Sequence, residues 1–198
     1  QNILGAYGEA AFDYGGYLFL TLSGRNDWAS TLEAENNSLF YPGASLSFVP
    51  TSMDGGSSDA LNYLKFRAGY GTSARFPGVY STRTGFNSTA SAVIDSDGNA
   101  ITTNGLSSFL GNVNLKPELQ KEFELGLDAD LFKKRISVDA TVYRRSIQDQ
   151  IVSRPISPST GATRTSDNIA ETQIEGVELG LNFTLIQSDN FNWKVRNN

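Results

Sequence analysis

Glu122, Glu124, Asp128 and Asp130 fall at even positions of one segment, the spacing that sets acids side by side on one face of a β-strand. Alternate residues on a strand face lie roughly 6–7 Å apart, so two of these acids could stand at a separation used for glycoside hydrolysis. That reaction needs one acid with a raised pKa, and a wet face gives no reason for one, so catalysis is not expected. The chain has no His and no Cys. It therefore lacks the commonest general base, the commonest metal ligand and any thiolate, and neither a Ser-His-Asp nor a Cys-His mechanism can be assembled. Gly69-Tyr70-Gly71-Thr72-Ser73-Ala74 imitates a dinucleotide-binding turn, but Arg75-Phe76-Pro77-Gly78 follows where a helix would have to start. Asp95-Ser96-Asp97-Gly98-Asn99 offers oxygens at alternate positions, as calcium loops do. Its glycine is out of step and no closing Glu follows, so a hairpin turn is expected there. Asn36-Asn37-Ser38 and Asn87-Ser88-Thr89 fit a glycosylation acceptor pattern. No cofactor and no metal site are expected.

The acidic row belongs to the stretch Leu115 to Arg145, which reads as two long strands joined by a turn holding only Lys133 and Lys134. Phe123, Leu125, Leu127, Ala129 and Leu131 alternate with the acids in the first strand. Ile136, Val138, Ala140 and Val142 alternate with Ser137, Asp139, Thr141 and Tyr143 in the second. Period two makes one face apolar and the other polar, and each strand matches the about 9–11 residues of a membrane-crossing β-strand. A tight turn pairs Leu125 with Val142, Leu127 with Ala140, Glu122 with Arg145 and Asp128 with Asp139. The last pair repels unless water, a cation or a third strand intervenes. The same register puts Arg144 on the apolar face, where a charge is tolerated only near the membrane interface.

Similar alternation predicts strands near 3–13, 17–26, 40–49, 62–74 and 173–185, and a further, truncated one at Trp193–Asn198. Connections near 14, 55, 133 and 188 are short or medium. Those near 33, 97 and 161 are long, spanning about 27–39, 75–120 and 150–172. The longest contains an expected hairpin in which Val93-Ile94 returns as Ala100-Ile101. Antiparallel strands with short turns at one end and long loops at the other are the pattern of an outer-membrane barrel. The fold class expected is all-β, an antiparallel transmembrane β-barrel contributing about eight strands.

Composition agrees. There is no apolar run of about 18 residues to form a membrane helix. The net charge of −5 and the absence of a basic patch argue against nucleic acid as a partner. Gln1-Asn2-Ile3 opens, and Trp193 to Asn198 closes, in what read as the middles of strands, so an internal piece of a longer protein is expected.

Six blocks, in order, resemble the SusC/RagA-type TonB-dependent transporters of Bacteroidetes outer membranes. They are Arg25-Asn26-Asp27-Trp28-Ala29-Ser30, Phe40-Tyr41-Pro42-Gly43-Ala44-Ser45-Leu46-Ser47 and Leu64-Lys65-Phe66-Arg67-Ala68-Gly69-Tyr70-Gly71. After them come Asn114-Leu115-Lys116-Pro117-Glu118 with Glu124 to Asp128, Tyr143-Arg144-Arg145 through Ile151, and Glu175-Gly176-Val177-Glu178-Leu179. The Asn114 and Glu175 blocks are shared with siderophore receptors, whereas the Phe40 and Arg25 blocks favour the SusC side.

The resemblance implies that residues 1–198 are roughly a third of a barrel of about 22 strands. The plug domain, the TonB box and the remaining strands would lie outside this chain. It implies no enzyme but energised import of an oligosaccharide or peptide, with a SusD-like surface lipoprotein, TonB, outer-membrane lipid and lipopolysaccharide as partners. Lipopolysaccharide phosphates could pair with Arg144. Trp28, Phe76, Tyr80, Phe86 and Phe109 are the aromatics, expected in loops, that could stack on substrate. The rival readings are a siderophore or metal-chelate receptor, a passive porin or small closed barrel, and a soluble β-adhesin.

Overall fold

The computed structural model of the chain describes residues 1–94, 96–98, 100–188 and 190–197, with the backbone alone at 87–93 and 100–103. Eleven strands follow in chain order: β1 Ile3–Tyr14, β2 Leu18–Ala29, β3 Ser38–Phe48, β4 Leu61–Arg75, β5 Phe86–Ile94, β6 Ala100–Leu106, β7 Phe109–Leu110, β8 Glu118–Leu131, β9 Ile136–Pro155, β10 Arg164–Gln187 and β11 Asn192–Asn197. Eight form one sheet in the order β1-β2-β3-β4-β8-β9-β10-β11, β7 lies parallel against β10, and β5-β6 is a separate hairpin. The other sheet pairings are antiparallel. The sheet is thus the expected meander, interrupted only by the long excursion between β4 and β8.

Register explains the alternation. Leu22 pairs with Ala44, Ala44 with Tyr70, Ala68 with Leu125, Leu125 with Val142 and Val142 with Val177. Every apolar set therefore lands on one face and forms a continuous band across the sheet. The band is not covered: Leu125 is 44% and Val177 76% exposed. An apolar surface of this extent does not face water in a soluble protein, and its height matches a bilayer. On β3 the aromatics Phe40 and Phe48 bracket Pro42, Ala44 and Leu46. Eight residues at about 3.3 Å each span about 26 Å along a strand. A tilt near 40° reduces that to about 20 Å, about 5 Å short of the about 25 Å apolar band of such barrels. Buried apolar side chains instead collect at sheet ends and loops, including Ala29, Leu32, Val49, Leu115 and Ala162.

The β8–β9 register is the expected one, with Glu122 opposite Arg145, Leu127 opposite Ala140 and Asp128 opposite Asp139. The turn differs. Leu131 pairs with Ile136, leaving 132–135 as the connection. Phe132, Lys133 and Lys134 all take left-handed backbone, with φ of 53°, 58° and 63°, and Arg135 N donates to Leu131 O at 3.0 Å. A loop centred on the same point conserves the register, so the error in its length left the pairing intact.

The loops expected at 27–39 and 150–172 are shorter than read, because β2 continues to Ala29, β3 begins at Ser38, β9 reaches Pro155 and β10 begins at Arg164. The outer parts of β9 and β10 lie beyond the apolar band, where the excursion packs against part of β10 and leaves Thr165 only 5% exposed. Nothing then selects an apolar face, and period two disappears although backbone pairing continues through irregularities at Asn168, Ala170 and Thr172. The excursion read as irregular over 75–120 spans 76–117 and contains β5, β6 and β7. Its hairpin has the expected pairs Val93–Ile101 and Ile94–Ala100, with Gly98 at φ 84°. Asp95 and Asn99, the ends of the calcium-like run, lie outside the described residues, and no acidic group placed to hold a metal occurs among the described ones.

Candidate functional site

The polar face is an interlocked surface centred on Arg67 of β4. Its Nη1 lies 3.3 Å from Glu124 Oε1, and Nη2 lies 3.2 Å from Asp128 Oδ1 and 3.1 Å from Asp139 Oδ1. Nη2 also donates to Thr141 Oγ1 at 3.1 Å. The third strand is thus what relieves the Asp128–Asp139 repulsion. Gly126 makes this reach possible, because a Cβ there would stand 2.7 Å from the guanidinium. Arg145 next to it makes the expected pair with Glu122, Nε to Oε2 at 2.9 Å and Nη2 to Oε1 at 3.2 Å. Gly176 likewise clears space for the Tyr143 ring. Beside this network Ser45, Gly69, Gly71, Ser73, Glu122 and Glu124 line an open hollow of about 370 Å³. The small residues that imitated a nucleotide turn are therefore wall.

On the opposite face Arg144 stands with Phe123, Val142 and Val177, as the register requires. It pairs with Glu175 (Nε to Oε1, 3.3 Å), and its Nη2 donates to Gln173 Oε1 at 2.8 Å.

At the long-loop end the excursion is tied down by specific bonds. Asn112 Nδ2 donates to Ser166 O at 2.9 Å, and Thr165 Oγ1 donates to Leu110 O at 2.8 Å. Lys116 N donates to Asn168 Oδ1 at 2.9 Å, and Asn168 Nδ2 returns a bond to Lys116 O. Leu115 is wholly buried beneath these ties. On the other side Arg83 Nε and Nη2 donate to Glu33 Oε1 and Oε2 at 2.9 and 2.8 Å. These two residues line a cavity of about 390 Å³ with Thr31, Tyr80 and Thr82.

Of the five aromatics singled out from sequence, only Tyr80 lines this cavity. Trp28 is a correction: it sits within β2, paired with Leu4 and Ser38, on the same face as Leu20 and Leu22. Phe86 and Phe109 begin β5 and β7 rather than lying in loop, and Phe76 directly follows β4. Sequence reading missed Thr31, Glu33, Thr82 and Arg83, because a bidentate pair linking two loops leaves no periodic signal.

A family model described as the β-barrel of TonB-dependent receptor-like proteins matches residues 1–198. The chain belongs to the TonB-dependent receptor β-barrel family. It is 27% identical over 197 residues to TonB-dependent receptor P3 of Formosa agariphila, covering 98% of this chain and 19% of that protein. Receptor P26 of the same organism is 29% identical over 199 residues, again with 98% and 19% covered. Among solved structures, that of the RagAB peptide transporter superposes with a TM-score of 0.83 at 23% identity, covering 96% of this chain and 20% of that one. The siderophore receptor PirA of Pseudomonas aeruginosa gives 0.61 at 18% identity, covering 98% and 33%. The chain thus spans about a fifth of the curated relatives it matches. The fold match is closer on the RagA side, in keeping with the Phe40 and Arg25 blocks.

In this outer-membrane receptor barrel the apolar band faces lipid, the Arg67 network faces the lumen, and the 76–117 excursion stands at the extracellular end. Trp28 and Phe40 then belong to the outer aromatic girdle. Arg144 and its partner Glu175 lie on the lipid-facing side, two residues toward the long-loop end from Val142 and Val177.

Two expectations follow. Arg67→Met leaves Glu124, Asp128 and Asp139 facing one another. With the Arg67 side chain 28% exposed, the loss should be about 1–2 kcal/mol, between the limits for exposed and buried pairs. The urea midpoint in vesicles reads it, and Asp139→Asn in the same background should recover part of it.

The second concerns acid. The hydrogen bond from Arg83 holds the Glu33 carboxylate below its usual range, against a smaller opposing effect of burial and with help from Thr82. Folding therefore favours the ionised form. The tether is fully present above the ordinary Glu range, about 4.3, and is lost as pH falls through the lowered value. Protection at 79–83, measured as exchange relative to the intrinsic rate at each pH, should hold at pH 5 and 7 and be lost only at pH below the ordinary Glu range.

Proposed function

We propose that this chain is wall and extracellular mouth of a receptor that imports a nutrient, an oligosaccharide or a peptide, using energy from TonB. The observation that carries the reading is the pairing of a bilayer-high apolar face with a wet, ion-paired lumen face, capped by an ordered extracellular excursion. A plug domain elsewhere in the full receptor would take the pull of TonB, the remaining strands would close the barrel, and a SusD-like lipoprotein would cover the mouth. Phe76, Tyr80, Phe86 and Phe109 are the aromatics proposed to reach substrate; Trp28, on the lipid-facing side, would anchor the outer interface. Arg144 would take lipopolysaccharide phosphate at that interface. No reaction is assigned to the chain.

The rival within the family is a chelate receptor. It draws on a local similarity of 39% over 69 residues to the vitamin B12 transporter BtuB of Vibrio vulnificus, covering 35% of this chain and 11% of that protein. The test is growth of the source organism without this receptor or without TonB. The nutrient reading expects loss of growth on a particular glycan or peptide mixture in both strains. Loss confined to iron or cobalamin limitation would favour the chelate reading, and uptake unaffected by removing TonB would make the barrel passive.

A further inference from the structure

We propose that the turn between β8 and β9, Phe132-Lys133-Lys134-Arg135, binds the headgroup of an anionic phospholipid in the periplasmic leaflet. It holds the one run of three cations in a chain of net charge −5, a cluster too small for nucleic acid. It stands where the lipid-facing band ends. Leu61 pairs with Leu131, Leu131 with Ile136 and Ile136 with Phe183, an apolar row across β4, β8, β9 and β10. The turn follows this row without a spacer residue. Headgroups add about 5–8 Å to each side of the hydrocarbon, a distance that a lysine or arginine side chain covers from the last lipid-facing residue.

The backbone holds these cations in place. Phe132 N donates to Ala60 O at 2.9 Å, Lys134 N to Asn62 Oδ1 at 3.0 Å, and Thr184 N to Arg135 O at 2.7 Å, so the turn is pinned to β4 and β10 on either side. Phe132, Lys133 and Lys134 keep left-handed backbone, which glycine or asparagine would hold with less strain. No contact within the chain accounts for lysines there. Lys133 makes one exposed pair with Asp59, Nζ to Oδ2 at 3.4 Å, and among the described residues neither Lys134 Nζ nor the Arg135 guanidinium has an acidic partner. Strain kept without an internal use points to a partner outside the chain. Two free cations beside a lipid-facing row fit a phosphate with net negative charge, as in phosphatidylglycerol. A zwitterionic headgroup brings its own ammonium and gains less. Phe132, 54% exposed, adds an aromatic at the same level.

Native mass spectrometry of the full-length receptor, titrated in detergent with phosphatidylglycerol or with phosphatidylcholine of matched acyl chains, tests this. Phosphatidylglycerol should be retained in preference. Each cation near an anionic headgroup contributes about fivefold, so Lys134→Asn combined with Arg135→Gln should lower that retention by about tenfold or more. Asparagine keeps the left-handed backbone accessible. Arg135→Gln alone, outside the left-handed run, should lower retention about fivefold and serves where the double variant does not fold. Arg135→Lys, which keeps the charge, should retain the lipid. Lys121→Gln, on the lipid-facing side of β8 toward the opposite end of the barrel, should change retention by less than about twofold. Equal retention of the two lipids by the folded receptor overturns the proposal. So does a preference for phosphatidylglycerol that survives the turn variants, or one that Lys121→Gln lowers as much as they do.

Discussion

Arginine in place of Leu125 is expected to destabilise the barrel by about 2–4 kcal/mol, the cost of a charge near the bilayer midplane on the lipid face. Leu125 lies between Ala68 and Val142 in the middle of the apolar band. The new guanidinium would have to stretch past Phe123 or Leu127 to reach an interface. Ser45→Arg gives the contrast. Ser45 faces the lumen between Thr21 and Gly69, where an added arginine stays wet and should change stability by less than about 0.5 kcal/mol. Urea unfolding of the full-length receptor in phospholipid vesicles measures both. In cells, the Leu125 variant should also accumulate less in the outer membrane.

Leu115→Ala has the second large effect, and it should be local. Leu115 has no exposed surface, and truncating such a leucine costs about 2–5 kcal/mol through lost burial and the cavity left behind. The wall does not depend on it, so the loss should appear as detachment of the extracellular cap. Hydrogen exchange is expected to accelerate at 107–117 and 163–168, which Asn112, Thr165 and Asn168 tie together, while β8 and β9 remain protected. Uniform acceleration across the sheet would mean that the cap and the wall unfold as one unit.

These positions differ in how far the sequence reveals them. Leu125 is legible because β8 and β9 must bring their apolar sets to the same face, which leaves one register available. The same constraint tolerated a wrong turn length, since three successive left-handed residues without a glycine carry no sequence signature. The outer lengths of β9 and β10 were hidden because strands that run beyond the lipid-facing band lose their periodicity. Arg67 was hidden by topology. It belongs to β4, and only the sheet order, with β4 beside β8 across the 76–117 excursion, brings it to Asp128 and Asp139. Gly126 was the available hint, a small residue on a face otherwise carrying acids. Glu33 and Arg83, fifty residues apart, meet only because two loops fold over the same end of the sheet.

The orientation of the wall is tested most directly by spin labels placed singly along β8, from residue 121 to 129, in the receptor reconstituted in bilayers. This chain has no cysteine of its own, and any elsewhere in the receptor are replaced before labelling. Collision with oxygen, which concentrates in lipid, is expected to peak at 123, 125, 127 and 129. Collision with a water-soluble nickel chelate should peak at 122, 124, 126 and 128. A profile without period two, or one with oxygen favouring the acidic positions, would contradict a lipid-facing apolar band.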